Sequence, residues 1–489
     1  MEPAIDGFGT ESYRPSRRGM GLKEYASVKG NLSGLRPVFG LAVAGLLMTL
    51  LIALPSYTAQ AQGQGISTIR DTEAERVLRG YLDPILNVAG LRPESVRLHI
   101  VQDPSINAFV AEGQNMFLNT GILMALDTPN QITGVMAHET GHMADGHLIR
   151  SSAGIKAATL PMLLSMAAGL AAMIAGAGDA GQAILMAGQQ IGERTFLAFS
   201  RTQESSADQA GVRYLTATHQ SGLGMLSVFK RFENQEILSS NHIDPFAQTH
   251  PASGERISAL EGLVNASAYR DVKDSPESQY AFDMMRAKLR GYIQRPEVTL
   301  RQYPDTDSSK PAHYARAMAY FREPDMAKAL GEIEGLLKDE PNNPYFLEMY
   351  GQIKVEMGKV DEGIAPYKHA VEILPDAPLI RIALAAAMLG TENPSYTAQA
   401  AQELQTALSQ ENDDALAWYE LAQAYGRLGQ TGKAELATAE RYFVVDAYQP
   451  AMQFAVRAQR QLPPGSTDWQ RATDILAIAQ TQQKAERGR

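Results

Sequence analysis

Residues 135–147 read VMAHETGHMADGH, and within them His138 and His142 stand four apart with Glu139 beside the first. On an α-helix that spacing places both imidazoles on one face, one turn apart, at about the separation a tetrahedral ion needs. The preceding residues specify the helix. Thr128 can cap its start, Pro129 suits the first helical position, and Gln131 completes a capping box. Val135, Met136 and Met143 give the helix a buried side, so these histidines are not simply a solvated pair. The chain must therefore fold around an inward-facing pair of metal-binding side chains, and a second segment must complete the set. No cysteine is present, so that segment can offer only His, Asp or Glu.

Two segments compete for the third ligand. His147 follows His142 by five residues, with Gly146 directly before it; that is not the spacing of six with a glycine between that turns a third histidine onto the ion, and His147 reads better as a structural residue or one behind the ligands. The stretch SRTQESSADQAGVRYL, residues 200–215, places Glu204 and Asp208 on one helix face. Glu204 could bind the metal while Asp208 accepts the ring N–H of a ligand histidine. The alternative for such a carboxylate pair is a solvated helix face.

Elsewhere the pattern is mixed. Residues 71–90 carry an apolar stripe, Val77, Leu78, Tyr81, Leu82 and Ile85, and read as a helix. VRLHIVQD and NMFLNTGIL alternate like strands, and Asn107-Ala108-Phe109 with Gly113 between them suggests a turn. Residues 271–310 read as one helix followed by a proline-rich linker. Beyond them a period of 34 residues sets in: Pro341 and Pro375, Gly351 and Ala385. ALAWYELAQAYGRLGQTGKAELATA, with Trp418, Leu421, Ala422, Tyr425, Gly429 and Ala434, has tetratricopeptide spacing. Residues 311–341 look like a degenerate first unit and 440–485 like capping helices.

The first 61 residues read as a targeting segment. Arg14, Arg17, Arg18, Lys23, Lys29 and Arg36 precede the uncharged run 38–54, and Ala59 and Ala61 form a cleavage pattern. The expected product is an exported chain cut near Ala61, the alternative being an anchor helix at the short limit of a span. A second uncharged stretch lies between Lys156 and Asp179. A single span there would put His142 and Glu204 on opposite sides of a bilayer, so the segment is expected to fold over the site or rest on a membrane surface. The net charge of −10 argues against a nucleic-acid binder.

HETGH, the later ESSAD, and THPASGERI with His250 and Arg256 occur in the order HExxH, ExxxD, HP…R. In this the chain resembles the gluzincin metallopeptidases that include the CAAX prenyl proteases and the HtpX membrane protease, here with C-terminal tetratricopeptide repeats. The resemblance implies an α+β, zincin-like, mainly helical metallopeptidase domain over residues 62–270, followed by an all-α repeat solenoid over 311–489. It also implies one zinc ion per chain held by His138, His142 and Glu204, with Glu139 as general base, Asp208 behind a ligand, and His250 and Arg256 near the scissile carbonyl. The stretch from Asn107 to Gly113 also resembles that family's edge-strand region, and the strand near residues 115–123 is expected to offer an edge to an extended substrate.

With the leader, this architecture implies a periplasmic endopeptidase acting on misfolded or misassembled outer-membrane proteins. The repeats would dock substrate or the outer-membrane assembly machinery, and residues 156–192 would supply peripheral membrane contact. The alternative, from a different class, is a repeat-based chaperone or scaffold in which proteolysis is secondary.

Overall fold

The computed structural model describes residues 10–13, 66–111, 114–146, 159, 163–168, 178–238, 245–246, 250, 253–391 and 393–487. His147 and most of the leader lie outside them. Five short strands form one mixed sheet: β1 (Thr10–Tyr13), β2 (Ile66–Ile69), β3 (Arg97–Val101), β4 (Ala108–Ala111) and β5 (Asn115–Asn119), in the order β1-β2-β3-β5-β4. β3 and β5 run parallel, Leu98 opposite Met116, and β4 folds back antiparallel on β5, Phe109 opposite Phe117.

This corrects two expectations. The stretch around Asn107-Ala108-Phe109 is not a turn joining paired strands, because parallel neighbours cannot be joined by a tight turn. It contains the edge strand itself, β4, while β5, expected at the edge, lies inside the sheet.

One face of the sheet packs on helices. In α1 (Thr72–Val88) the stripe residues Leu78, Leu82 and Ile85 are fully buried, each contributing about 1.5–3 kcal/mol relative to exposure. A short α2 (Thr120–Ala125) leads to α3 (Pro129–Ala144), whose capping box between Thr128 and Gln131 is formed as the sequence requires. Residues 129–142 of α3 are buried apart from Asn130 and Gln131, which makes it the central helix. Across it lie α4 (Gly178–Ala217) and α5 (Leu223–Leu238), with α6 (Gly254–Ala266) beyond.

The segment read as a helix and linker holds two helices, α7 (Pro276–Ile293) and α8 (Pro296–Gln302). Pro296 is no obstacle, because it occupies the first helical position, where no N–H is needed. The repeats follow as helix pairs joined by short loops: α9 (Lys310–Arg322) with α10 (Met326–Asp339), α11 (Pro344–Glu356) with α12 (Val360–Ile373), and α13 (Pro378–Leu389) with α14 (Pro394–Gln410). Then come α15 (Ala415–Arg427) with α16 (Thr431–Val444), and the closing pair α17 (Tyr448–Gln461) and α18 (Thr467–Arg487). Gly351 shows why small residues recur in them: a Cβ there would stand 2.8 Å from the Tyr367 ring. The result is an α+β, mainly helical unit followed by an all-α solenoid.

The repeats are in contact with the sheet and with α1. Arg70 pairs with Glu411 at 2.6 Å, Arg76 with Asp376 at 2.9 Å, and Arg97 with Asp413 at 3.4 Å. The main hydrophobic core runs from Ile69 through Leu289 and Phe321 to Ile353 without a break between the two units.

Candidate metal centre

α3 and α4 cross at Gly141, the fourth residue of HETGH. A Cβ at Gly141 would lie 3.0 Å from the Ala207 backbone, so only glycine lets the two helices come this close. Ser206 Oγ donates to Asp145 at 2.5 Å and fixes the same crossing at its far end. The crossing places the face of α4 carrying Glu204 and Asp208 directly against His138 and His142.

Four donor atoms then converge. His138 Nε2 is 3.1 Å from His142 Nε2, 3.3 Å from His250 Nδ1 and 3.5 Å from Glu204 Oε2. Glu204 Oε1 is 3.4 Å from His142 Nε2 and 3.1 Å from His250 Nδ1. Ligands about 2.0–2.1 Å from a tetrahedral ion are about 3.3 Å from one another, so these separations have the edge length of a single coordination shell. All four residues are buried. Glu139, 1% exposed, lies alongside: its Oε1 is 3.4 Å from His250 Nε2 and makes no hydrogen bond among the described residues. An unsatisfied buried carboxylate oxygen beside converging imidazoles suits a site that takes up a cation and a water molecule.

The surroundings set the charge balance. Burial works against a charge on His138, but Asp208 and Glu204 outweigh it and lift the imidazole to about 9. Burial would raise Glu204, yet His138 and His250 hold it far below the usual carboxylate range. Glu139 goes the other way: burial raises it, only partly offset by His250 and His138. The pull of the two carboxylates for positive charge is also what a divalent ion would satisfy.

The structure brings together every residue singled out in the three motifs. Asp208 Oδ1 lies 3.1 Å from His138 Nδ1, as expected of a group that orients a ligand ring. Arg256 is the one whose expected place changes. Its Nε and Nη2 donate to Asp208, both at 2.8 Å, and Nη1 pairs with Glu204 at 3.0 Å. Ser253 caps α6 by accepting from the Arg256 N–H, which aims the side chain behind the carboxylates instead of toward a bound carbonyl. Sequence reasoning missed Phe229 and Phe246, whose rings pack 5.1 and 6.4 Å from that of His138 and seal it from water. Their only signal was an aromatic residue in otherwise mixed segments.

Residues 70–264 match the model of peptidase family M48. A beta-barrel assembly-enhancing protease of Escherichia coli K12 is 25% identical over 398 residues, 79% of each chain. The mitochondrial metalloendopeptidase OMA1 of Schizosaccharomyces pombe is 28% identical over 194 residues, 40% of this chain and 54% of that one. Among solved structures the tetratricopeptide protein YrrB covers 35% of this chain and 89% of its own, at 18% identity and a TM-score of 0.30. At that score the likeness carries no weight, and the repeat fold stands on its own helix pairs. Matched by its family model and bearing the HExxH helix against the carboxylates of α4, the segment 70–264 is a peptidase family M48 domain, and the chain is a metallopeptidase.

Proposed function

We propose that the chain is a zinc-dependent endopeptidase of the periplasm that hydrolyses misfolded or misassembled outer-membrane proteins. The observation that carries the reading is the convergence of His138, His142, Glu204 and His250 at 3.1–3.5 Å beside the buried carboxylate of Glu139. His138, His142 and Glu204 would hold one zinc per chain, the His2Glu set typical of catalytic zinc. When bound, zinc lowers the pKa of a water molecule and polarises a carbonyl.

The chain's own residues do the rest. Glu139 takes the proton of the attacking water and returns it to the leaving amine; burial raises its basicity for that task. Asp208, with Oδ1 3.1 Å from His138 Nδ1, is placed to take up the Nδ1 proton and so leave Nε2 free to bind. Arg256 is a positioning residue that grips Asp208 and Glu204 together. His250, with Nδ1 3.3 Å from His138 Nε2 and 3.1 Å from Glu204 Oε1, would be a fourth ligand at rest and would have to withdraw before substrate enters; once displaced, it can donate to the carbonyl oxygen that becomes negative. Zinc-edge absorption of the resting enzyme should show three nitrogen ligands, and two would remove the latch.

An extended peptide would pair with the edge strand β4, giving backbone recognition and loose sequence preference. The name of the Escherichia coli relative supports an outer-membrane client, and the leader supports export. The division we propose is a leader over 1–61, a peptidase unit over 62–270, a helical connection over 271–310 and repeats over 311–489. The repeats dock the substrate or the outer-membrane assembly machinery. Exposed Leu163, Leu164, Met166, Ile184, Met186 and Ile191 support peripheral contact with a membrane surface. No helix among the described residues is long and apolar enough to cross one.

The test is hydrolysis of an unfolded protein by residues 62–489, wild type beside Glu139→Gln, with zinc measured in both. The variant should keep its zinc and lose at least about 10³-fold in rate. A zinc-loaded variant that still cleaves would sink the mechanism. In cells the same variant separates this reading from a repeat-based chaperone, whose effect it would leave intact.

A further inference from the structure

Three aromatic rings stack across the sheet on the face turned away from the main core. His99 of β3 lies on Phe117 of β5 with centroids 4.7 Å apart and planes 17° apart, and Phe117 lies on Phe109 of β4 at 4.8 Å and 11°. Phe117 is only 1% exposed, yet it is not part of the main hydrophobic core. His99 is fixed by Asn115, whose Oδ1 is 2.9 Å from its Nε2. Phe109, half-buried, is the last ring of the stack, on the last strand of the sheet.

That strand's outer edge is also the edge that meets the metal centre. Asn119 N–H donates to Asn107 O, so the odd-numbered residues of β4 bond to β5 and the even-numbered ones direct their backbone groups outward. On that side the Ile106 carbonyl, just before β4, and the Val110 N–H are already bonded at the site, which leaves Ala108 and the Val110 carbonyl to pair an added strand. Phe246 N–H reaches Ile106 O at 3.3 Å, and the Val110 backbone donates to the Glu139 carboxylate. A peptide paired to this edge therefore runs past Glu139.

Neighbouring strands are about 4.8 Å apart, which is also the spacing of the stacked rings. A ring opposite Phe109 on an added strand would thus continue the stack in register. Resting on the edge-strand reading above, we infer that Phe109, braced by Phe117 and His99, is a specificity subsite that selects an aromatic side chain at one position of an extended substrate. The residues on either side of that position point to the opposite face, toward α3, so selection acts on alternate residues. The substrate class is an unfolded segment with strand-type alternation and aromatic side chains at alternate positions, the pattern of outer-membrane barrel strands near their interfaces.

The test uses full-length Glu139→Gln, which leaves a bound peptide uncut. A set of decapeptides, identical except that phenylalanine or alanine stands at one scanned position, is titrated by fluorescence anisotropy. At one position phenylalanine should bind about tenfold more tightly than alanine. The ratio should fall to about one in Glu139→Gln/Phe109→Leu and survive in Glu139→Gln/Phe109→Tyr, which keeps the ring. Equal affinities at every position, a ratio that survives Phe109→Leu, or one that Phe109→Tyr abolishes would each overturn the proposal. Indifference to N-methylation of alternate peptide amides would also overturn it, through loss of the edge pairing. Selective binding to the variant by peptides that the wild type never cleaves would support the subsite while removing the endopeptidase reading.

Discussion

Two clusters of charge are sealed inside this molecule, and they are built to opposite plans. Around His138, His142 and Glu204 the donor atoms face one another, and the nearest permanent cation, Arg256, stands behind the carboxylates. Around Lys288 the cation is in the middle. Its Nζ is 2.6 Å from Asp71 and 3.4 Å from Glu73, Tyr314 donates to Glu73 at 2.8 Å, and the rings of Tyr314 and Tyr345 flank it at 5.9 and 5.8 Å. Burial works against the Lys288 charge, yet Asp71 and Glu73 more than restore it. The second cluster has its counter-charge in the sequence and ties the start of α1 to the first repeats. The first has donor atoms left over, and those are what a catalytic ion would use.

The sharpest way to break this contrast is to remove each cluster's organising group. Lys288→Met strands three buried carboxylates, Asp71, Glu73 and Glu348, and should cost about 3–5 kcal/mol in urea unfolding while leaving metal content per folded chain unchanged. A loss under about 1 kcal/mol would mean that Lys288 does not hold the second cluster together. Arg256→Gln should do the reverse. Zinc affinity, measured by competition with a chelator, should fall about 10–100-fold, because the carboxylates lose the group that orients them. An unchanged affinity would make Arg256 a purely structural residue.

The smallest effect is one of pH. Burial outweighs the pull of Lys288 and raises Glu73 to about 7. A carboxyl raised on folding keeps its proton better in the folded state, so its contribution to stability is full below about 4.5 and is lost as pH rises through 7. Relative to Glu73→Gln, the wild type should therefore become less stable between pH 5 and pH 8. A constant difference between the two unfolding midpoints would show that Glu73 does not titrate in that window.

The two clusters were not equally legible. Spacing alone puts His138 beside His142 and Glu204 beside Asp208, because helical periodicity places i and i+4 side chains together whatever the rest of the fold does; joining the two segments took the order of the motifs. The capping box at Thr128 and the 34-residue period are equally local signals. Lys288 carried no such signal: in RAKLR it reads as one more solvated base, and Asp71 and Glu73 are more than 200 residues away. The four residues of β4 are too short for alternation to stand out, and Gly113 nearby strengthened the reading of a turn. The contacts of Arg256 with Asp208 and Glu204 are not legible in the sequence, because motif order says nothing about which way a guanidinium enters a cluster. The helix at residues 296–302 was hidden by prolines that in fact begin helices.

The unbroken core from Ile69 to Ile353 has a consequence for how this chain can be divided. A repeat array appended to an enzyme usually suggests a detachable adaptor, something that evolution or a protein engineer could exchange for another. Here Phe321, Ile333 and Phe346 of the first repeats are packed into the same apolar interior as Leu78 and Met136. A chain ending before residue 311 would present that interior to water as a raw face. The adaptor begins inside the enzyme, and only the later repeats are free to diverge.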